Sequence, residues 1–147
     1  MLEWNHHGDF ARMGEYCGGF RILDVDYYAD AGAGELASCL NGNDYQRIIV
    51  DYGEITGEGI LECARCDRKV IVGALSEWQA QRFLEEVNGH EKRDASWNYA
   101  AAFGSEETRK ILEKKFRVSC LRIPASVDAF AVTRADMDFF EKLLGKF

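Results

Sequence analysis

Two apolar segments, separated by a short polar stretch, constrain the fold of this chain more than any other feature. Residues 47–51 read Arg-Ile-Ile-Val-Asp and are followed by Tyr52 and Gly53, and residues 68–76 read Arg-Lys-Val-Ile-Val-Gly-Ala-Leu-Ser. Because polar residues do not alternate with the apolar ones, we expect adjacent or near-adjacent interior strands of a parallel sheet, buried on both faces. Such a strand places Asp51 at its carboxyl end, where open α/β sheets bind ligands.

The rest of the chain continues this alternation of strands with amphipathic helices. Further strands are predicted at residues 2–4, 20–25, 97–103 and 118–123, and helices near 9–17, 34–40, 58–65 and 76–89, with two more that begin at Ser105 and Thr133. The pattern therefore predicts an α/β fold in which a doubly wound, mainly parallel sheet lies between two helical layers, as one domain over residues 1–147.

The segment after the second apolar strand carries the clearest helix signal. Residues 76–79 read Ser-Glu-Trp-Gln, which is a capping box. The apolar residues that follow repeat at helical spacing, and they are Ala80, Phe83, Leu84 and Val87. We expect Trp78, like the other large aromatic residues, to pack in the core.

Composition and charge exclude several classes of function. The formal net charge of −7 argues against a nucleic-acid partner and against an anionic membrane surface. No apolar run reaches the roughly 20 residues needed to span a bilayer, and the first residues lack the basic and apolar regions of a signal peptide. The five cysteines are irregularly spaced, which is typical of reduced thiols in the cytoplasm.

Several segments resemble one family when they are taken in order. Residues 44–51 read Asp-Tyr-Gln-Arg-Ile-Ile-Val-Asp, residues 66–73 read Cys-Asp-Arg-Lys-Val-Ile-Val-Gly, and the segment 122–124, Arg-Ile-Pro, is followed by Asp128. They resemble the Walker B strand and two later segments of the MinD/ParA-type ATPases, the deviant-Walker P-loop group that includes the CpaE-like pilus-assembly proteins. Residues 1–5 take the position of that family's second strand. The resemblance covers most of the chain.

The resemblance implies a nucleotide-switch ATPase and a set of nucleotide contacts. By this similarity, Asp51 would hold Mg²⁺ through water, and the segment from Pro124 to Asp128 would border the nucleotide base. The implied cofactor-binding residues are Asp51, Gly53, Pro124 and Asp128, with ATP and Mg²⁺ as cofactors of a full-length parent protein. The residues themselves leave a second role open, in which Asp51 only caps the turn that follows it.

Three departures from the family argue against ATP hydrolysis by this chain alone. A phosphate-binding Gly-x-x-x-x-Gly-Lys-Ser/Thr motif is absent, Asn5 stands where the family has a carboxylate, and residues 101–103 read Ala-Ala-Phe where the family often has an adenine-reading Asn. We therefore expect no cofactor in the isolated chain. Either Met1 is an internal start and the parent protein carries the P-loop, which we favour, or the remaining strands close into a smaller sheet without nucleotide chemistry.

Other motifs have ordinary structural explanations. Cys63 and Cys66 form a Cys-x-x-Cys pair, but no second pair exists to complete a zinc site. The adjacent His6 and His7 are expected in a solvated turn. The Gly-x-Gly at residues 32–34 resembles a phosphate-binding turn, but the flanking acids, Asp30 and Glu35, would repel a phosphate, so we expect a plain helix start.

Asp24, Asp26 and Asp51 could form an acidic pocket like that of a response-regulator receiver, although the required Lys is missing. Two functions therefore remain open. The chain is either the part of a nucleotide-switch ATPase distal to its P-loop, or a non-catalytic ATPase-like module that binds a protein in a pilus or secretion apparatus. The expected partner is another protein or a second copy of this chain, in the cytoplasm.

Overall fold

The computed structural model of the protein describes residues 1–4, 19–22, 24–54, 58–76, 78–89, 94–128 and 131–145. They form seven strands and five helices, a mixed α/β arrangement. The chain divides into two compact units, Met1–Cys66 (unit 1) and Asp67–Phe147 (unit 2), and each is described by itself. The predicted helix near 9–17, together with Asn5, His6 and His7, lies outside the described residues. The prediction of one domain stays a prediction.

Unit 1 combines parallel and antiparallel strand pairs. Its elements are β1 (Leu2–Trp4), β2 (Phe20–Ile22), β3 (Val25–Ala31), α1 (Ala33–Gly42), β4 (Val50–Asp51) and α2 (Glu58–Arg65). The strand order is β2-β3-β1-β4, in which β1 runs parallel to both β3 and β4. β2 runs antiparallel to β3, so the single strand predicted at residues 20–25 is the first arm of a hairpin. Asp24 has a φ of 61° at its turn, a conformation that Asp tolerates better than most residues.

The core of unit 1 lies between the sheet and α1. Its buried residues are Leu2, Ala31, Leu36 and Cys39, with Tyr28, Tyr45, Ile48, Val50 and Tyr52 packed against them. α1 begins after Gly32 and ends at Gly42, and the next residue, Asn43, has a φ of 56°, the left-handed conformation common after helix ends. The helix predicted at residues 34–40 is therefore confirmed.

Unit 2 follows the predicted alternation of strands and helices. Its elements are β5 (Lys69–Ala74), α3 (Ala80–Gly89), β6 (Trp97–Ala102), α4 (Glu106–Phe116), β7 (Cys120–Arg122) and α5 (Arg134–Leu144). The three strands form a parallel sheet in the order β5-β6-β7. The α/β class is therefore confirmed, whereas the larger doubly wound sheet with two helical layers stays a prediction.

The core of unit 2 covers one face of β5. Phe83 and Val87 of α3 are buried, as their spacing predicts, in a cluster with Leu75, Tyr99, Ala101, Leu112 and Cys120. Gly73 makes this packing possible, because a Cβ atom at that position would overlap the Phe83 ring. On the other face, the side chains of Val70 and Val72 are 37% and 64% exposed.

Two burial predictions are therefore wrong. β5 is not buried on both faces. Among the described strands, β4 and β5 are each the edge strand of their own sheet, whereas the sequence predicts that both are interior strands. Trp78, predicted in the core, is 82% exposed. It lies in the turn before α3, which begins at Ala80. In this turn the backbone carbonyl of Ser76 accepts hydrogen bonds from the N–H groups of Gln79 and Ala80.

Helix caps determine where α4 and α5 begin. The Ser105 hydroxyl accepts a hydrogen bond from the backbone N–H of Thr108 at 3.1 Å. The Thr133 hydroxyl accepts from the N–H of Asp136 at 3.3 Å, and the Asp136 carboxylate accepts from the N–H of Thr133 at 2.7 Å. Both starts are where the sequence predicts them.

Candidate functional site

Asp51 and Gly53 form a closed turn at the carboxyl end of β4. The Gly53 N–H donates to Oδ1 of Asp51 at 2.9 Å, and Gly53 has a φ of 54°. This is an Asx turn, in which a side-chain oxygen replaces a backbone carbonyl. The capping role left open for Asp51 therefore describes its geometry, and its carboxylate is exposed. A role in holding Mg²⁺ stays a prediction, and the described residues contain no cluster of three or more metal-ligating side chains.

Pro124 and Asp128, the other two residues implied by the resemblance, lie in the loop between β7 and α5. Asp128 is exposed, and its backbone forms a local turn in which the Ser126 hydroxyl donates to the Asp128 carbonyl at 2.6 Å. Pro124 is half-buried and lines a cavity of about 360 Å³. Asp51 and Gly53 belong to unit 1, whereas Pro124 and Asp128 belong to unit 2.

The cavity lies beside β7, with α4 and α5 contributing its other walls. Its lining residues are Glu106, Arg109, Ser119, Cys120, Leu121, Arg122, Pro124, Ala135, Phe139 and Lys142. All of them belong to unit 2. Three carry a positive charge and one a negative charge, which makes this cavity cationic in an otherwise acidic chain.

Two α4 side chains bind the backbone of β7. The Arg109 guanidinium donates to the carbonyl of Cys120 at 2.8 Å, and Oε1 of Glu113 accepts from the N–H of Cys120 at 2.9 Å. The same guanidinium donates to Glu113 at 2.7 Å and pairs with Glu106. Glu106 and Glu113 raise the pKa of Arg109, so this cation is fully committed within unit 2. We call the pair Arg109 and Glu113 the edge clamp.

Arg122 and Lys142 are the remaining cations of the cavity. Both side chains are exposed, and neither forms an ion pair with a carboxylate in the described part of the chain. The charge of Arg122 nevertheless helps to lower the pKa of Glu106, after the larger effect of Arg109. Phe139 and Pro124, both half-buried, add an apolar wall beside them. The cavity can therefore offer a ligand two cationic groups and an apolar contact.

The Cys-x-x-Cys pair lies at the end of α2, where the helix dipole disfavours a thiolate. The Tyr52 hydroxyl lies 3.8 Å from Sγ of Cys66, and the Cys66 thiol contacts the carbonyl of Glu62 at 3.6 Å. Burial, followed by the contact with Cys66, raises the pKa of Tyr52. The position is consistent with the structural reading of these cysteines.

The other acidic motifs of unit 1 are also explained by local structure. The Glu35 carboxylate accepts a hydrogen bond from the Gly32 N–H at 2.9 Å, which lowers the pKa of Glu35 and fills the start of α1. Asp24 lies in the hairpin turn, and Asp26 lies near the amino end of β3. Because β3 and β4 both run parallel to β1, Asp26 lies at the amino end of these strands and Asp51 at their carboxyl end, so the prediction of a receiver-like acidic pocket is wrong.

One conspicuous residue has no sequence motif. Phe103 follows β6 with a φ of 57° and a side chain that is 76% exposed. A left-handed conformation is strained for a bulky residue. The next residue, Gly104, has a φ of 81°, and an added Cβ there would lie 2.5 Å from the carbonyl oxygen of Leu75.

Comparison of the chain with models of known families, with curated proteins and with solved structures gives no match. The resemblance to MinD/ParA-type ATPases therefore stays a hypothesis from the sequence. Among the described helices, none has the length and apolar character required to cross a membrane.

Proposed function

We propose that this chain is a non-catalytic binding module of the nucleotide-switch ATPase type, and that the cavity beside β7 receives an anionic group of a protein partner in the cytoplasm. The observation that carries the proposal is the pair of cations, Arg122 and Lys142, neither of which forms an ion pair with a carboxylate of the described residues. A protein of net charge −7 repels acidic ligands over most of its surface, so a cationic cavity gives such a ligand one preferred site.

The rest of the cavity supports the same function. Pro124 and Phe139 give the ligand an apolar contact beside the two charges, and a volume of about 360 Å³ lies in the range of binding pockets. The Asp51 carboxylate, the metal-holding group that the resemblance implies, accepts the Gly53 N–H in a turn. The binding proposed here uses the cations of the cavity and needs no metal ion. The resemblance to CpaE-like proteins favours a partner in a pilus or secretion apparatus.

The test uses an acetylated and amidated peptide of six glutamates, titrated into the isotope-labelled protein. We expect saturable changes in the amide NMR signals of Arg122, Phe139 and Lys142. The double variant Arg122→Gln, Lys142→Gln should bind at least about tenfold more weakly, because charge-assisted hydrogen bonds are lost. Lys114→Gln, which removes an exposed α4 cation outside the cavity lining, should bind as the parent does.

A peptide of six lysines serves as the charge-reversed control and should cause no change at these signals. The proposal is overturned if the glutamate peptide causes no saturable change, or if the double variant binds it as tightly as the parent.

The nucleotide-switch ATPase remains the second candidate, because Pro124, which the resemblance puts beside the base, does line the cavity. The chain lacks the loop amides and the Lys that hold phosphates in that class. Calorimetric titration with Mg-ATP should therefore give no affinity tighter than the millimolar range, and no phosphate should be released. Micromolar binding would favour this second candidate over the first.

A further inference from the structure

The outer edge of β7 has two outward-facing positions. The Ile123 N–H donates to the carbonyl of Ala101 in β6 at 3.0 Å, so the backbone N–H and C=O groups of Ile123 and, two residues earlier, of Leu121 face β6. Those of Cys120 and Arg122 face away from the sheet. β7 is the last strand in the order β5-β6-β7, so this side carries no further strand among the described residues.

The edge clamp occupies the first of these positions. It gives Cys120 one donor, from Arg109, and one acceptor, from Glu113, as the peptide group of a neighbouring strand would. Edge strands that natural proteins protect in this way do not pair with other chains. At Arg122 no described side chain takes the same place, and Arg122 is also one of the residues that line the cationic cavity.

We propose that an extended acidic segment of the partner protein pairs with β7 at Arg122, as an added strand that the edge clamp stops at Cys120. The inference rests on the proposed function and names the partner's chemistry. An added strand turns alternate side chains to opposite faces. The acidic residues of the added strand would contact Arg122 and Lys142. The part of the same strand next to these residues would pack on Phe139 and Pro124.

The test separates backbone pairing from charge. The peptide of six glutamates is compared with the same peptide methylated at each backbone nitrogen, which keeps every carboxylate but removes the N–H donors and blocks the strand edge. We expect methylation to weaken binding by about tenfold or more. The unmethylated peptide should also slow amide hydrogen exchange at Arg122. The Cys120 amide, already bonded to Glu113, is the internal control and should not change.

The outcomes distinguish a failure of strand pairing from a failure of the proposed function. If both peptides bind equally and the cavity signals still shift, the proposed function holds and strand pairing is wrong. If neither peptide binds, the proposed function itself fails. Strand pairing is supported only if the unmethylated peptide binds more tightly and also protects the Arg122 amide.

Discussion

Unit 2 and unit 1 differ in how strictly strands and helices alternate. In unit 2 all six residues of β5 pair with β6, and the described strands all run parallel. In unit 1 the strands run both ways, and β4 contributes only two residues. Seven described residues form the buried cluster of unit 2, against four in unit 1. Where local pattern, caps and packing agree, a fold is well specified, so we expect unit 2 to be the more stable of the two.

The largest effect should follow removal of the α3 aromatic. Phe83→Ala should lower the free energy of unfolding of unit 2 by about 3–5 kcal/mol, because it leaves a cavity under β5. Amide hydrogen exchange at Tyr99 measures the stability of unit 2, and exchange at Tyr28 measures that of unit 1 for comparison. Trp78→Ala, at an exposed residue, should change stability by less than about 0.5 kcal/mol. If exchange at Tyr28 accelerates as much as at Tyr99, the two units unfold together and the comparison fails.

Two glycine substitutions should act in opposite directions in the two units. Gly73→Ala in β5 should destabilise by about 1–3 kcal/mol, because the new methyl group overlaps Phe83. Gly34→Ala in α1 has open space around its Cβ and should stabilise by about 0.5–1 kcal/mol through helix propensity. Urea unfolding of both variants checks this. If Gly73→Ala left the free energy of unfolding unchanged, α3 would have to pack loosely on β5.

A rise in pH above about 8.5 should weaken unit 2 first, because the tyrosines of unit 1 whose pKa values are raised, Tyr45 and Tyr52, lower stability only once an unfolded tyrosine ionises, at about pH 10. Burial, followed by the charge of Glu113, raises the pKa of Cys120 to about 11, whereas an unfolded thiol has a pKa of about 8.5. The unfolded state therefore ionises first, and stability is lost as pH rises from about 8.5 to about 11, by up to roughly 3 kcal/mol. Unfolding measured across this range should show a slope in unit 2 that Cys120→Ala removes. An unchanged slope in the variant would assign the loss to other groups.

The smallest effect separates the two roles of Asp51 in unit 1. Asp51→Ala removes the acceptor of the Gly53 N–H and should lower stability by about 1 kcal/mol, whereas Asp51→Asn keeps an acceptor and should change little. Melting temperatures of the two variants measure the cap. Both roles predict little change in the stability of Asp51→Asn, so the metal-holding role is tested by binding: it predicts that Asp51→Asn abolishes Mg-nucleotide binding in a protein with an upstream P-loop.

The sequence predicts the secondary structure of unit 2 better than its burial. The capping residues Ser105 and Thr133, and the spacing of Phe83 and Val87, are local signals, and the structure bears them out. Val72 shows the limit of such signals. An apolar strand looks the same whether one or both of its faces are covered, because coverage depends on which elements pack against it.

In unit 1, tertiary contacts replace the local pattern. β3 contains polar and aromatic residues that predict no clear strand, yet the Tyr45 hydroxyl donates to Asp26 and lies 2.9 Å from the Tyr28 hydroxyl. Tyr28 and Asp26 raise the pKa of Tyr45, which keeps it a neutral donor. Such a network links residues that are far apart in sequence, so no window of the chain reveals it.

The candidate site could be predicted only in part. Pro124 lines the cavity, as a ligand-bordering residue should, although its role stays a prediction. The edge clamp could not be found from sequence, because Arg109 and Glu113 at i and i+4 look like any surface ion pair on a helix. Only the register of β7 shows that the pair also binds the backbone of Cys120.

Phe103 gives laboratory evolution two opposite routes. Replacing it with Asn, which accepts the left-handed conformation more readily, should raise thermal tolerance by relieving about 1 kcal/mol of backbone strain. The same change removes a large apolar side chain that stands 76% exposed after β6. A library screened for heat resistance alone should therefore lose this phenylalanine quickly. A library screened for capture of a partner that contacts Phe103 should retain this residue, and its members should have lower melting temperatures.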